Sequence, residues 1–238
     1  MESLLGDQFI PLTFSIGFFE KTIEVVGDAH LSWTKQHHQF VEAQPLNCDL
    51  PSALKKLEPL TMPPRRKLFL STDSQWTAYF DNGINGPDPR SPVVYLTQQL
   101  HCRGLIATYV PHTLSAETGN AKGAYGAVQF ELFAPTRREF LNYERSISVA
   151  YDGGKWRFDV SGSVQPFEEV AQYSVRKIAD RFTPDMLQRY CAALGVRLFD
   201  QDFYCGTGLL VAIRDRLPDG GKEISLAQAQ QNLVADSS

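Results

Sequence analysis

The 238-residue chain carries 23 Lys and Arg against 27 Asp and Glu, a formal charge of −4, with 43% hydrophobic and 21% charged residues. That is enough apolar chain for one large or two small cores, and it excludes collagen, low-complexity disorder and a disulfide-rich mini-protein. The slight acidic excess also argues against a protein built mainly to neutralise phosphates.

The opening residues Met1–Asp7 lack the basic and apolar regions of a signal peptide. No stretch approaches the ~20 apolar residues of a membrane helix, so the expected address is the cytoplasm. Ser15 to Val26 fits two readings. Phe18, Phe19, Ile23 and Val26 fall near one helical face with Gly27 as a stop, while Phe14, Ile16 and Phe18 alternate as in a strand. The period of His30 to Val41 decides nothing. Pro51–Leu57 is expected to be a short helix. Thr61–Arg66, with two prolines, breaks regular structure, so residues 1–60 are expected to form an N-terminal subdomain or extension and residues 65–238 the main domain.

From Lys67 the signals sharpen. Lys67–Ser71 and Gln75–Phe80 are expected strands, Asp81–Pro92 a loop, Val93–Cys102 a helix ending near Gly104, and Leu105–Val110 a strand. After a polar connection over 111–124, strands are expected at Tyr125–Phe133, Tyr143–Ala150 and Lys155–Ser161. The last two form a hairpin across Asp152-Gly153-Gly154, because Asp-Gly and Gly-Gly take positive φ readily. Thr183 caps a helix that begins at Pro184 and stops at Gly195, followed by a strand at Leu209–Ile213 and a helix at Ser225–Leu233. Adjacent strands without βαβ alternation predict an α+β fold, mainly an antiparallel sheet with flanking helices.

No sequence motif carries catalysis. Gly119–Gly126 imitates a phosphate loop, but its Lys122 precedes the second Gly and a strand follows where a helix is needed. Asp81–Pro92 starts like a calcium loop but has Gly83 at the third position and Pro92 at the twelfth, so no metal is expected. Cys48, Cys102, Cys191 and Cys205 are irregularly spaced and read as core thiols; His30, His37, His38, His101 and His112 form no metal-binding pair. The basic runs Arg65–Lys67 and Arg137-Arg138 lack interleaved aromatics, which argues against nucleic acid. Neither a cofactor nor a membrane partner is expected.

Three stretches, Trp76–Gly83, Asp152–Phe158 with Ser161-Gly162 and Pro166–Glu168, and Asp180–Thr183, resemble a bacterial family of uncharacterised proteins. Small acidic proteins of that kind are similar to immunity proteins, which neutralise a toxin by covering its active site. The resemblance implies no catalytic residue. With carboxylates repeated in Gly/Pro loops and aromatics beside them, the expectation is a non-catalytic binding protein whose partner is a toxin domain encoded nearby. The expected partner-binding residues are Asp81, Asn85 and Asp88 in the loop after Trp76, and Glu168 and Glu169 after the hairpin. The alternative is a carboxylate-dependent hydrolase of a glycosidic or nucleotide bond, which requires at least two of Asp81, Asp88, Glu131 and Asp180 to share a pocket. A third reading, a regulatory subunit, requires a self-complementary interface.

Overall fold

A computed structural model describes residues 3–114, 123–136 and 142–233. The fold is α+β, built on a nine-stranded sheet. Its strands are β1 (Ser15–Phe19), β2 (Val41–Asn47), β4 (Arg66–Thr72), β5 (Thr77–Asp81), β6 (Gly104–Val110), β7 (Ala127–Phe133), β8 (Tyr143–Tyr151), β9 (Trp156–Gly162) and β10 (Tyr204–Ile213). They lie in the order β2-β10-β4-β5-β1-β6-β7-β8-β9, and every neighbouring pair is antiparallel. A small second sheet pairs β3 (Leu60–Met62) with β11 (Lys222–Ile224).

The two readings of residues 15–26 are both realised in succession. The alternating half is β1, and the helical half opens α1 (Ile23–His37). Gly27 does not stop that helix but lies inside it, where a Cβ would meet the Leu209 side chain, so the missing side chain lets α1 settle on β10. A separate unit at residues 1–60 is not what the sheet order gives: β1 sits centrally between β5 and β6, and β2 forms one edge beside β10. The Pro-rich stretch over 61–66 is not wholly irregular: it leaves β3 of the small sheet and enters β4 of the main sheet within three residues. Two further corrections are local. α3 (Arg90–Leu100) starts before Val93 and ends at His101, which takes a left-handed conformation. Cys102 and Cys191 are buried thiols, but Cys205 is exposed.

The caps of α2 (Leu50–Lys55) and α4 (Pro184–Ala193) follow from sequence chemistry. The Asp49 carboxylate accepts the Ser52 amide at 2.7 Å, and Thr183 Oγ1 accepts the Met186 amide at 3.3 Å. α2, α4 and the N-terminal Leu4, Leu5, Phe9 and Leu12 bury one face of the sheet, and α5 (Leu226–Leu233) adds Ala229 to that core. The other face packs Phe69, Tyr79, Ile106 and Val211 beneath α1 and α3. Nine strands at ~4.8 Å spacing span about 38 Å. Two helices packed side by side, 8–10 Å apart, cover roughly half of that. α1 lies over β2, β10 and β4, and α3 over β1 and β6, so among the described residues the helices leave much of β7, β8 and β9 uncovered on this face.

α3 approaches its strands closely because Gly17 and Gly104 have no side chains. A Cβ on Gly17 would lie 2.9 Å from Pro89 Cβ, and one on Gly104 would collide with Thr97 and lie 2.7 Å from Val93 Cγ1. Gly104→Ala is therefore expected to lift α3 and cost about 1–3 kcal/mol. Urea denaturation is the check; a loss well below 1 kcal/mol would show that α3 is not seated there.

Candidate functional site

The loop between β5 and α3 is built inward from Asp81. As the last residue of a strand buried along its whole length, Asp81 is 1% exposed. Its carboxylate accepts the Gly83 amide at 2.9 Å, the Asp88 amide at 3.1 Å and the Tyr79 hydroxyl at 3.3 Å. One side chain thus closes both ends of the loop. Asn82 anchors its root: Oδ1 accepts the Arg65 and Arg66 amides at 2.7 and 2.8 Å, and Nδ2 donates to the Pro59 carbonyl at 2.6 Å. Loss of water pushes the Asp81 carboxyl up to about 6, against the opposing pull of the Gly83 amide and the Lys67 charge.

Lys67 faces Asp81 directly in the β4–β5 register and donates to the Pro64 carbonyl at 2.7 Å. Burial pushes its ammonium down to about 8. Beside it His30, 2% exposed, packs its ring 4.9 Å from that of Phe69. Thr34 Oγ1 donates its hydrogen to the His30 carbonyl at 2.8 Å, so toward Nδ1, at 3.3 Å, it offers only a lone pair. The ring hydrogen therefore sits on Nδ1. Desolvation, helped by the Lys67 charge, pushes His30 down to about 3 and keeps the ring neutral. His30, Trp33, Lys67, Tyr79, Asp81 and Asp88 wall a crevice of about 230 Å³. It unites a carboxyl of raised affinity for protons with a second carboxylate, the pairing that acid–base chemistry uses.

A second crevice, about 290 Å³, opens between the loop and the bare sheet face, with Asp88, Arg90, Gln129 and Glu131 among its walls. Here the register lays down rows of polar side chains. Ser15, Thr108, Gln129, Ser148 and Asp159 stand opposite one another across β1, β6, β7, β8 and β9. The Ser15 and Thr108 hydroxyls are 2.7 Å apart, and Gln129 Nε2 donates to Ser148 Oγ at 3.1 Å. In the adjoining row Glu131, Ser146 and Ser161 are neighbours. Glu131 accepts Arg90 Nη2 at 2.7 Å and the Tyr143 hydroxyl at 2.6 Å. Burial, reinforced by Glu131, pushes the Tyr143 phenol upward. The other end of β8 carries an aromatic group: the Tyr151 ring lies 4.5 Å from His112, 5.7 Å from Trp156 and 6.0 Å from Tyr125, which is 55% exposed.

Of the five residues expected to face a partner, Asn85 and Asp88 are exposed on the loop. Glu169 is exposed too, and pairs with Arg189 at 2.7 Å. Asp81 and Glu168 are corrections. Asp81 is the internal clasp just described, and the Glu168 side chain is fully enclosed in an ion pair with Arg145 at 2.7 Å. Nor do the two groups converge. Asp88 fronts the face under α1 and α3, whereas the Glu169 amide donates to Tyr190 of α4 on the opposite face. Of the alternative set, Asp81 shares one crevice with Asp88, and Asp88 shares the next with Glu131. Asp180 stands apart with Lys177 at 3.0 Å.

His30, Lys67, Arg90 and Tyr143 were missed because none belongs to a spaced motif. The available signal was a Lys near the start of one apolar strand and an Asp at the end of the next, which antiparallel pairing sets opposite each other. Gly119–Lys122 and Arg137-Arg138 lie outside the described residues. Among the described residues, no three His, Cys, Asp or Glu gather to hold a metal, and no helix is long and apolar enough to cross a membrane. Compared with protein-family models, curated proteins and solved structures, the chain finds no match in any of the three.

Proposed function

We propose that this chain is a cytoplasmic bacterial immunity-type protein that neutralises a cognate toxin by covering its active site. The observation that carries the reading is the bare face of β7–β9. An antiparallel sheet commonly leaves one face to solvent, and here that face carries two rows of polar side chains, Gln129, Ser148 and Asp159 beside Glu131, Ser146 and Ser161. The loop with Asn85 and Asp88 rises along one side of these rows, while Tyr151 and Trp156 of the aromatic group belong to the opposite face. A solvent-facing polar floor beside a carboxylate-bearing loop suits the polar rim of a protein–protein interface, where charge steers the partner. Asp88 and Asn85 meet a basic cleft, and Glu169 marks a more distant contact.

The test is size-exclusion chromatography of the chain with the product of the adjacent gene. Co-elution is expected at micromolar concentration, and Asp88→Lys is expected to slow association about tenfold at low salt. Absence of a complex at micromolar concentration would overturn the reading. A hydrolase remains the second reading, supported by Asp81 and Asp88 sharing one crevice and by the raised Asp81 carboxyl. It requires Asp88→Asn to abolish turnover of a glycoside or nucleotide substrate.

A further inference from the structure

The two edges of the main sheet differ. β2 carries Pro45, which has no amide hydrogen to offer a neighbouring strand. β9 carries no proline and is largely exposed. Its hydrogen-bonding phase follows from both ends. Asp152 N donates to the Lys155 carbonyl at 3.1 Å, and Ser163 N donates to the Glu144 carbonyl at 2.9 Å. Residues of the same parity, Arg157, Asp159 and Ser161, therefore point their amides and carbonyls at β8. Trp156, Phe158 and Val160 point theirs away from the sheet. Among the described residues those outward groups have no backbone partner. The turns at Val170–Ser174 and Ile178–Asp180 pack against this part of the sheet, with the Tyr173 ring 5.3 Å from Phe158.

We infer that two copies of this chain join edge to edge through β9, antiparallel about a twofold axis at Phe158, into one continuous sheet. The strand is complementary to itself in that register. Phe158 meets Phe158 of the second copy and Trp156 meets Val160, all three with outward backbone groups, so these are the hydrogen-bonded pairs. Arg157 meets Asp159 in the intervening position, where facing side chains stand closest. Opposite charges face each other on the polar side, while Trp156, Phe158 and Val160 face each other on the apolar side. Arg157 already holds Asp152 of its own hairpin through Nε, which leaves its other nitrogens to reach Asp159 of the second copy. Four of the exposed large apolar residues, Tyr125, Val160, Val164 and Val170, lie on β9 or on segments beside it in sequence or across the hairpin end. The joined sheet would also unite the two polar faces, whether or not a toxin binds them.

The test needs only the purified chain. Sedimentation or light scattering is expected to show twice the 26.7 kDa chain mass at high concentration. Asp159→Arg, which sets Arg against Arg157 twice per dimer, is expected to weaken the dimer about tenfold. The Arg157→Asp/Asp159→Arg exchange restores opposite charges and is expected to restore the dimer. Amide exchange of the wild type decides the register without any variant. Phe158 and Val160 gain protection as concentration rises, while Arg157 and Asp159 are protected throughout. A monomer at ~100 µM, a dimer insensitive to Asp159→Arg, or concentration-independent exchange at Phe158 and Val160 would each overturn the inference. Failure to bind a toxin bears on none of these readouts.

Discussion

Replacing His30 by Phe is expected to turn the nearly level pH dependence of stability between pH 6 and 4 into a gain as pH falls. The wild-type ring is neutral in the fold, with its proton affinity pushed from 6.5 down to about 3 by loss of water and by the Lys67 charge. The unfolded chain therefore binds a proton that the folded chain refuses. Stability is fully present above pH 6.5 and is lost as pH falls, by about 1.4 kcal/mol per unit and about 5 kcal/mol in all. Asp81 acts with the opposite sign. Its carboxyl is raised from 3.8 to about 6, so the fold takes up a proton before the unfolded chain does. Falling pH therefore returns about 3 kcal/mol between 6 and 3.8.

The two slopes cancel over that shared window. The wild type is expected to weaken from pH 6.5 to 6, hold nearly level to about 4, and weaken again below it. His30→Phe is expected to gain stability as pH falls from 6 to 4, and Asp81→Asn to lose it continuously from 6.5. Urea midpoints measured across this range are the check. Taking differences between variants removes the carboxylates Asp49, Asp152 and Asp215, whose lowered proton affinities are shared by all three proteins. Parallel wild-type and His30→Phe curves would show that the ring is not held neutral by burial.

Glu168→Ala is expected to cost about 3–5 kcal/mol, because it strands a buried cation. Arg145 and Glu168 are 4% and 0% exposed in their side chains and meet through two bonds, Nε to Oε1 at 2.8 Å and Nη2 to Oε2 at 2.7 Å. The remaining acceptor positions of Glu168 take the Gln165 amide at 2.7 Å and the Tyr173 hydroxyl at 2.9 Å. Arg145 Nη1 also reaches the Ser161 and Gly162 carbonyls at 3.3 and 3.1 Å. The pair therefore ties β8, the end of β9 and the segment leading to α4 into one knot. Removing both charges together, as Arg145→Met/Glu168→Leu, is expected to recover much of the loss, since neither partner is then left unpaired. Urea denaturation of the two single variants and the double variant forms the cycle. A single-variant loss below about 1 kcal/mol would mean that water reaches the pair.

Glu168 also shows where sequence reasoning stops. Glu168-Glu169 looks like a solvated acidic pair, and Glu169 is one. Its neighbour is enclosed because Arg145, 23 positions earlier on a strand with alternating burial, turns inward at the same place. The partnership is long-range, and no local pattern encodes it. Asp81 is similar. Its Asp-Asn-Gly context predicts a loop, and a loop is present. The carboxylate is nevertheless the clasp of that loop, because Tyr79 and the Asp88 amide reach it inside a doubly covered sheet.

Local chemistry alone determined a good part of this protein. The Asp152-Gly153-Gly154 hairpin, the Thr183-Pro184 helix start, the alternation of β7 and β8 and the α+β class all depend on contacts within a few residues. The tertiary structure decided the strand order, with β1 drawn into the middle of the sheet, and which of two exposed-looking glutamates is buried. It also decided that two helices cover too little of a nine-stranded face to hide β7–β9. Strand neighbours and covered area are set by the packing of segments far apart in the chain, which residue types and periods along the sequence do not record.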